Sequence, residues 1–222
     1  YNLDSARKLS NKLDHIYLVE GYMDVVGLSK NGIENVVANL GTSLTDKQIL
    51  TLNQFFDDII ICFDGDESGY KAALRAAENS IRELRPEKQI SFLFLPDKED
   101  PDSYVNKNGK NNFLDFTKQS KLPIHHFIFS HYKKQTENNP SSMAIFEKKL
   151  REITNTIKDD FIKKYVLEFF LEKISELTPH LNQNNKKFYV KKIKTLDSTK
   201  RYFNESQSLT GVELKEFSLL YL

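Results

Sequence analysis

Residues Ile59–Gly69 read IIICFDGDESG. Three consecutive isoleucines, Cys62 and Phe63 are followed at once by Asp64-Gly65-Asp66. A short, unbroken, β-branched run is the pattern of a strand buried on both faces. The acids stand where that strand must end. Asp66–Leu84 then reads as a long helix, with Ala72, Ala73, Ala76 and Ala77 allowing close packing, and Arg85-Pro86-Glu87 breaks it. The same alternation continues in both directions. On the N-terminal side, Ile16–Val19 is a short strand and Tyr22–Lys30 a helix stopped at Asn31-Gly32. Val36, Val37 and Ala38 mark a second strand, Gly41-Thr42-Ser43 a turn, and Ser43 or Thr45 caps a helix running to about Phe56. On the C-terminal side, Ile90–Leu95 is a further strand, ended by Pro96-Asp97. Strand and helix in strict alternation predict an α/β fold: a parallel sheet flanked by helices, with right-handed crossovers. Ligands in such sheets lie beyond the carboxyl ends of the strands.

At 222 residues the chain has room for one or two domains, and 39% hydrophobic with 28% charged residues is enough for a core. No apolar run approaches the roughly 18 residues of a membrane helix, so a spanning protein is not expected. The single cysteine, Cys62, excludes a disulfide framework or a multi-cysteine zinc site within this sequence. The start, Tyr1-Asn2-Leu3-Asp4, has neither Met nor the features of a secretory signal, which points to a fragment of a cytoplasmic protein. Charge is segregated. Residues 1–117 carry 13 Lys and Arg against 19 Asp and Glu, and residues 118–222 carry 19 against 12. An acidic half can take up metal cations; a basic half can meet an anionic polymer or simply present solvated helices. From Ile124 the pattern is helical throughout: 124–136, 141–157 and 159–177, the last with Phe161, Tyr165, Val166, Leu167, Phe169, Phe170 and Leu171 as a broad apolar face. Residues 182–208 read as a polar, Lys-rich linker, and Leu214, Phe217, Leu220 and Tyr221 begin another helix.

Acids follow three of the four strands: Glu20 and Asp24 after the first, Asp64 and Asp66 after the third, Asp100 and Asp102 after the fourth. Brought to one sheet edge, these carboxylates repel one another and require cations. Hard oxygen donors with room for water suit Mg²⁺ or Mn²⁺. Any one of the groups alone has an ordinary reading as a turn, a helix cap or a first-turn acid; the three together do not. Gly65 is expected to permit a sharp turn and Gly69 a close approach of ligand to the helix.

Glu20–Asp24 (EGYMD), Asp64-Gly65-Asp66 and Asp100-Pro101-Asp102 resemble the acidic motifs of the Toprim domain. The surrounding stretches VEGYMDVVGL (19–28), GIENVVANLGTSLT (32–45), CFDGDESG (62–69) and FLPDKEDPDSY (94–104) closely resemble the bacterial replicative DNA primases. Ser68 stands where alanine is common and Tyr70 where arginine often follows the glycine. The resemblance implies a Toprim-type sheet followed by an all-α subdomain. It implies a DNA-directed RNA polymerase that makes short RNA primers from ribonucleoside triphosphates on single-stranded DNA, at replication forks in the cytoplasm. Glu20, Asp64 and Asp66 would be the catalytic residues and metal ligands, with Asp24, Asp100 and Asp102 as further acids around two or more Mg²⁺ or Mn²⁺ ions. Zinc would belong only to an N-terminal domain lying outside this sequence. The implied divisions are the end of a preceding subdomain (1–14), the Toprim core (15–117), a helical subdomain (118–180), a linker (181–210) and the start of a domain that binds the replicative helicase (211–222).

Lys71 and Arg75, one turn apart, and Thr42 and Ser43 after the second strand are candidates for nucleotide or template phosphate. The five histidines lack metal-ligand spacing, and Cys62 reads as a buried small hydrophobe. Residues 186–194 interleave basic and aromatic side chains, a pattern of linkers and of nucleic-acid contacts. Two alternatives stand beside the primase reading: another Toprim enzyme, either a type IA topoisomerase or a nuclease, or a non-catalytic core that binds metal and partners.

Overall fold

The computed structural model describes residues 1–40, 44–97 and 99–177. Its strands form where the sequence concentrates β-branched and aromatic residues: β1 (His15–Val19), β2 (Val36–Ala38), β3 (Asp58–Gly65), β4 (Gln89–Asp97) and β5 (Leu122–Pro123). They make one sheet in the order β2-β1-β3-β4-β5. The first four are parallel, with Ile16 opposite Ile59 and Leu18 opposite Ile61. β5 departs from the expected all-parallel pattern. It runs antiparallel to β4, Pro123 opposite Ser91, because the chain returns directly from a helix with no crossover.

The helices are α1 (Leu3–Arg7), α2 (Tyr22–Lys30), α3 (Asp46–Asn53), α4 (Glu67–Ser80), α5 (Pro101–Ser120), α6 (Ile124–Lys134), α7 (Pro140–Asn155) and α8 (Asp160–Leu177). Alternation along the strands sorts side chains between two cores. Tyr17, Val19, Ile60, Cys62, Leu93 and Leu95 face α2 and α5, meeting Val25, Leu28, Val105 and Phe113. Phe63, Phe92 and Phe94 face the other way and stack towards α4 and α6. Phe92 and Phe127 have ring centroids 5.0 Å apart, and Tyr70 and Phe94 5.6 Å. Ala73 and Ala77 are fully buried, as expected of the small-residue side of α4.

Several expectations are corrected. The helix after Asp66 stops at Ser80 and tightens into a 3₁₀ turn over Ile81–Glu83, since Arg85-Pro86 cannot continue it. Asp100-Pro101-Asp102 opens α5, which the apolar spacing does not announce; the signal was the cap. Asp100 and Ser103 form a reciprocal capping box with Pro101 at the first helical position. Gly109, at φ 80°, kinks this helix. In α8 the buried stripe is Val166, Phe170 and Ile174, while Phe161 and Tyr165 are exposed. The stretch before β1 is tied to the sheet edge: Tyr1 exchanges two backbone hydrogen bonds with Ala38 of β2. The expected linker and final helix lie outside the described residues. Tyr1–Ile174 form one compact unit. No helix among the described residues is long and apolar enough to cross a membrane.

Candidate functional site

After β1 the chain enters α2 on one face of the sheet; after β3 it enters α4 on the opposite face. Between neighbouring strands β1 and β3 the connections therefore diverge, and a crevice opens beyond their carboxyl ends. Glu20 and Gly21 form one lip, Asp64–Asp66 the other. The loop after β4 closes over the same edge, because Gly65 donates its N–H to the Glu99 carbonyl at 3.3 Å.

The two glycines here serve approach rather than turning. A Cβ on Gly65 would stand 2.2 Å from the Pro96 carbonyl oxygen and 2.5 Å from that of Leu95. One on Gly69 would stand 2.5 Å from the Asp64 carbonyl oxygen, so Gly69 seats α4 against the acid-bearing strand end, not against a ligand. On α2, Gly27 leaves the space taken by the Asp102 side chain, whose Oδ1 would lie 1.9 Å from a Cβ.

Each acid has a distinct local role. Asp66 caps α4, accepting from the Gly69 N–H at 2.6 Å through Oδ1. Asp100 caps α5, accepting from the Ser103 N–H at 2.6 Å through Oδ1. Asp66 thus realises the ordinary reading of its motif, whereas Asp100 caps a helix where its motif alone reads as a turn; each keeps a second oxygen. Asp24 is buried and accepts from the Gly21 N–H at 3.0 Å. Asp102 turns its carboxylate to α2 and accepts from Asn106 at 2.6 Å, while its backbone N–H supports Asp24. The Glu20 and Asp64 side chains have no hydrogen bond or ion pair among the described residues.

The electrostatics show which charges feel one another. Burial pushes Asp64 up to about 6, with Glu20, Asp100 and Asp66 adding repulsion. Burial likewise pushes Asp24 up to about 6. Asp100 and Asp64 add to the rise, and the Gly21 N–H opposes it. Glu20 is raised by burial and then by Asp24 and Asp66. Five of the six predicted acids therefore share one field; Asp102 contributes through its backbone. Sequence reasoning missed Glu99. Its Oε1 pairs with Lys107 at 2.6 Å, and its buried Oε2 has no hydrogen-bond partner among the described residues. It stood in plain view in the acidic run Asp97-Lys98-Glu99-Asp100.

Among the described residues, no three His, Cys, Asp or Glu side chains are placed to close on a single ion. Mg²⁺ keeps several waters and is held by one or two carboxylates plus substrate phosphate. The donors are carboxylate oxygens, with Glu20 and Asp64 unpaired among the described residues and repelled by their neighbours, a set that fits a hard divalent cation.

Residues 14–94 match the Toprim domain family. This stretch has a Toprim-type fold. The chain is also similar to the DNA primase of Pseudomonas aeruginosa, with 43% identity over 129 residues, covering 58% of this chain and 19% of that protein. Its fold is that of a primase domain from the same organism, with a TM-score of 0.74 and 34% identity over 81% of this chain and 55% of that one. A primase catalytic domain bound to single-stranded DNA gives a TM-score of 0.72 at 32% identity, over 78% of this chain and 56% of that one. The chain thus spans about a fifth of the curated relative and just over half of the solved domains.

Around the Toprim acids the predicted cations divide. Lys71 is spent on Glu67 at 2.6 Å, one turn back on α4. Arg75 has no ion pair among the described residues. It lines a cleft of about 280 Å³ with Glu20, Asn39, Leu44 and Ala72, between α4 and the ends of β1 and β3. Thr42 and Ser43 lie outside the described residues.

Proposed function

We propose that this chain is the metal-binding core of a DNA primase, which synthesises short RNA primers on single-stranded DNA by nucleotidyl transfer. What supports the reading is the mutual repulsion of Glu20, Asp24, Asp64, Asp66 and Asp100, which follow the carboxyl ends of β1, β3 and β4, with Glu20 and Asp64 unpaired among the described residues. Bound Mg²⁺ or Mn²⁺ would supply Lewis-acid activation of the primer 3′-hydroxyl and neutralise the departing pyrophosphate. Asp64, between Glu20 and Asp66, serves as the central ligand. Glu20, with its raised affinity for a proton, is suited to accept the hydroxyl proton as the new bond forms. Asp66 and Asp100 are aimed by their caps, which fix one oxygen and present the other. Asp24 and Asp102 act as outer acids. Arg75 faces the substrate phosphates from the cleft, with Lys71, Thr42 and Ser43 as further contacts.

The substrates are ribonucleoside triphosphates and a single-stranded template. The replicative helicase would be met through residues 211–222, and the setting is the replication fork in the cytoplasm. The test is Asp64→Asn in the full-length protein. Primer synthesis should fall by at least about a hundredfold, the scale of losing a principal electrostatic contact to the transition state. The circular dichroism spectrum should not change. Undiminished synthesis would remove Asp64 from the mechanism.

A further inference from the structure

Helix α6 runs along β4 towards the acid-bearing edge. It starts beside the β5–β4 pairing, packs Phe127 on Phe92 and Phe94, and brings His131 to Tyr70 in the first turns of α4. Tyr70 lies four residues beyond Asp66, and its N–H bonds to the Asp66 carbonyl at 3.1 Å. The tyrosine ring is held by Phe94, Phe127 and His131 at 5.6, 5.4 and 5.6 Å. Lys134, in the last turn of α6, places Nζ 5.8 Å from that ring's centroid.

The hydrogen bonds here leave donors over. Gln135 Nε2 lies 3.0 Å from His131 Nε2, and His131 Nδ1 lies 3.2 Å from Tyr70 Oη. With the Gln135 amide oriented this way, its Nε2 donates to His131 Nε2, and the matching tautomer carries its proton on Nδ1 and gives it to Tyr70 Oη. The Tyr70 hydroxyl then has its own hydrogen to donate, and no acceptor for it stands among the described residues. The Lys134 ammonium has no carboxylate partner there either. Glu78, the carboxylate acting on His131, is engaged by Tyr132 and Lys149. An ammonium and a hydroxyl donor, both unanswered and set on a rigid aromatic base, form a receptor for a phosphate oxygen.

We infer that Lys134 and the Tyr70 hydroxyl form a contact site for a backbone phosphate of the nucleic-acid strand held at the Toprim acids. The inference rests on the primase reading for its ligand. It is tested by binding of a fluorescein-labelled DNA template annealed to a short RNA, in Mg²⁺, across a salt series. Lys134→Ala should weaken binding about threefold to tenfold and reduce the slope of log affinity against log salt by about 1. Lys134→Arg should bind within about twofold of the unaltered chain, with the same slope. Tyr70→Phe keeps the ring and its packing; it should weaken binding about twofold to fivefold at unchanged slope, since no charge is lost. Equal affinity and slope in Lys134→Ala, or full affinity in Tyr70→Phe, would overturn the site. The two readings fail differently: if the variants match an unaltered chain that does bind the hybrid, only the site falls and the primase reading stands, whereas no binding by the unaltered chain at any salt concentration counts against the primase reading itself.

Discussion

At the residue scale the molecule carries a conflict that a divalent ion resolves. Asp24 and Asp64 sit half-enclosed among like charges, with burial as the first cause of their raised pKa values of about 6. In the unfolded chain both titrate near 3.8. Between those values the folded state binds more protons than the unfolded one, so stability falls as pH rises through roughly 4 to 6. This is opposite in sign to a salt-bridged carboxylate. In the absence of divalent cations, thermal melting should show that decline, and saturating Mg²⁺ should flatten it by binding the ionised forms. Asp24→Asn keeps an acceptor for the Gly21 N–H and removes one buried charge. It should raise metal-free stability at pH 7 by about 1–3 kcal/mol, on the conversion of about 1.4 kcal/mol per pKa unit. A melting temperature that does not rise in the asparagine variant would show that Asp24 is not strained by its neighbours. The residue scale was legible in part. The mutual repulsion of Glu20, Asp24, Asp64, Asp66 and Asp100 could be read because these acids stand after apolar strands; that Asp102 turns its carboxylate to α2 could not. That Asp66 doubles as a helix cap could be read only as an alternative, since an N-cap and a metal ligand call for the same aspartate, and Asp100 read alone as a turn.

At the element scale this double duty separates into two measurements. Asp66 and Asp100 each anchor a helix through one oxygen. Asparagine caps as well as aspartate, whereas alanine does not. Asp66→Asn and Asp100→Asn should therefore melt within about 0.5 kcal/mol of the unaltered chain, and the alanine variants about 1 kcal/mol below it. All four should lose Mn²⁺ affinity, read by electron paramagnetic resonance. An asparagine variant that lost as much stability as alanine would mean that charge, not capping geometry, holds the helix. The close seats of Gly65 and Gly69 belong to this scale as well. Gly65→Ala forces a methyl onto two carbonyl groups of β4, which cannot rotate away. It should cost roughly 1–3 kcal/mol or more and disturb the Asp64 site directly. Strands β1 to β4 were legible as short apolar runs, and the helices around 22–30, 140–155 and 160–177 from their apolar spacing; the two-residue β5 was not. Helix α5 was not. Its interior, VNKNGKNNFLDF, spreads Val105, Phe113 and Phe116 among asparagines, and Gly109 interrupts it. What makes it a helix is the Asp100–Ser103 cap at its start and the packing of Val105 and Phe113 on the sheet. Tertiary contact outweighs weak propensity there.

At the scale of the whole molecule, sequence pattern suggested a sheet domain followed by a separate helical one, but composition cannot reveal which surfaces meet. The described helices do not stand apart. Phe127 of α6 is 2% exposed and lies against both Phe92 and Phe94 of β4. Phe129 of the same helix meets Phe146 of α7 and Phe170 of α8. A single aromatic chain thus runs from the sheet through α6 to the last helices, and the acid-bearing edge shares its support. Sequence showed these aromatics as core material without showing that one helix faces two cores. Cooperativity follows from this continuity. Phe127→Ala removes a ring wedged between strand and helix, and should cost about 3–5 kcal/mol. The loss should lower the denaturant midpoint of the sheet and of α6–α8 together, because neither side retains a closed core without that ring. Hydrogen exchange resolved along the chain checks this. Amides of β3 and β4 should lose protection in the same step as those of α7 and α8. If the helices opened first while β3 and β4 kept their full protection, the two parts would be independent folding units, and the support that α6 gives to Tyr70 and the acid edge would be incidental.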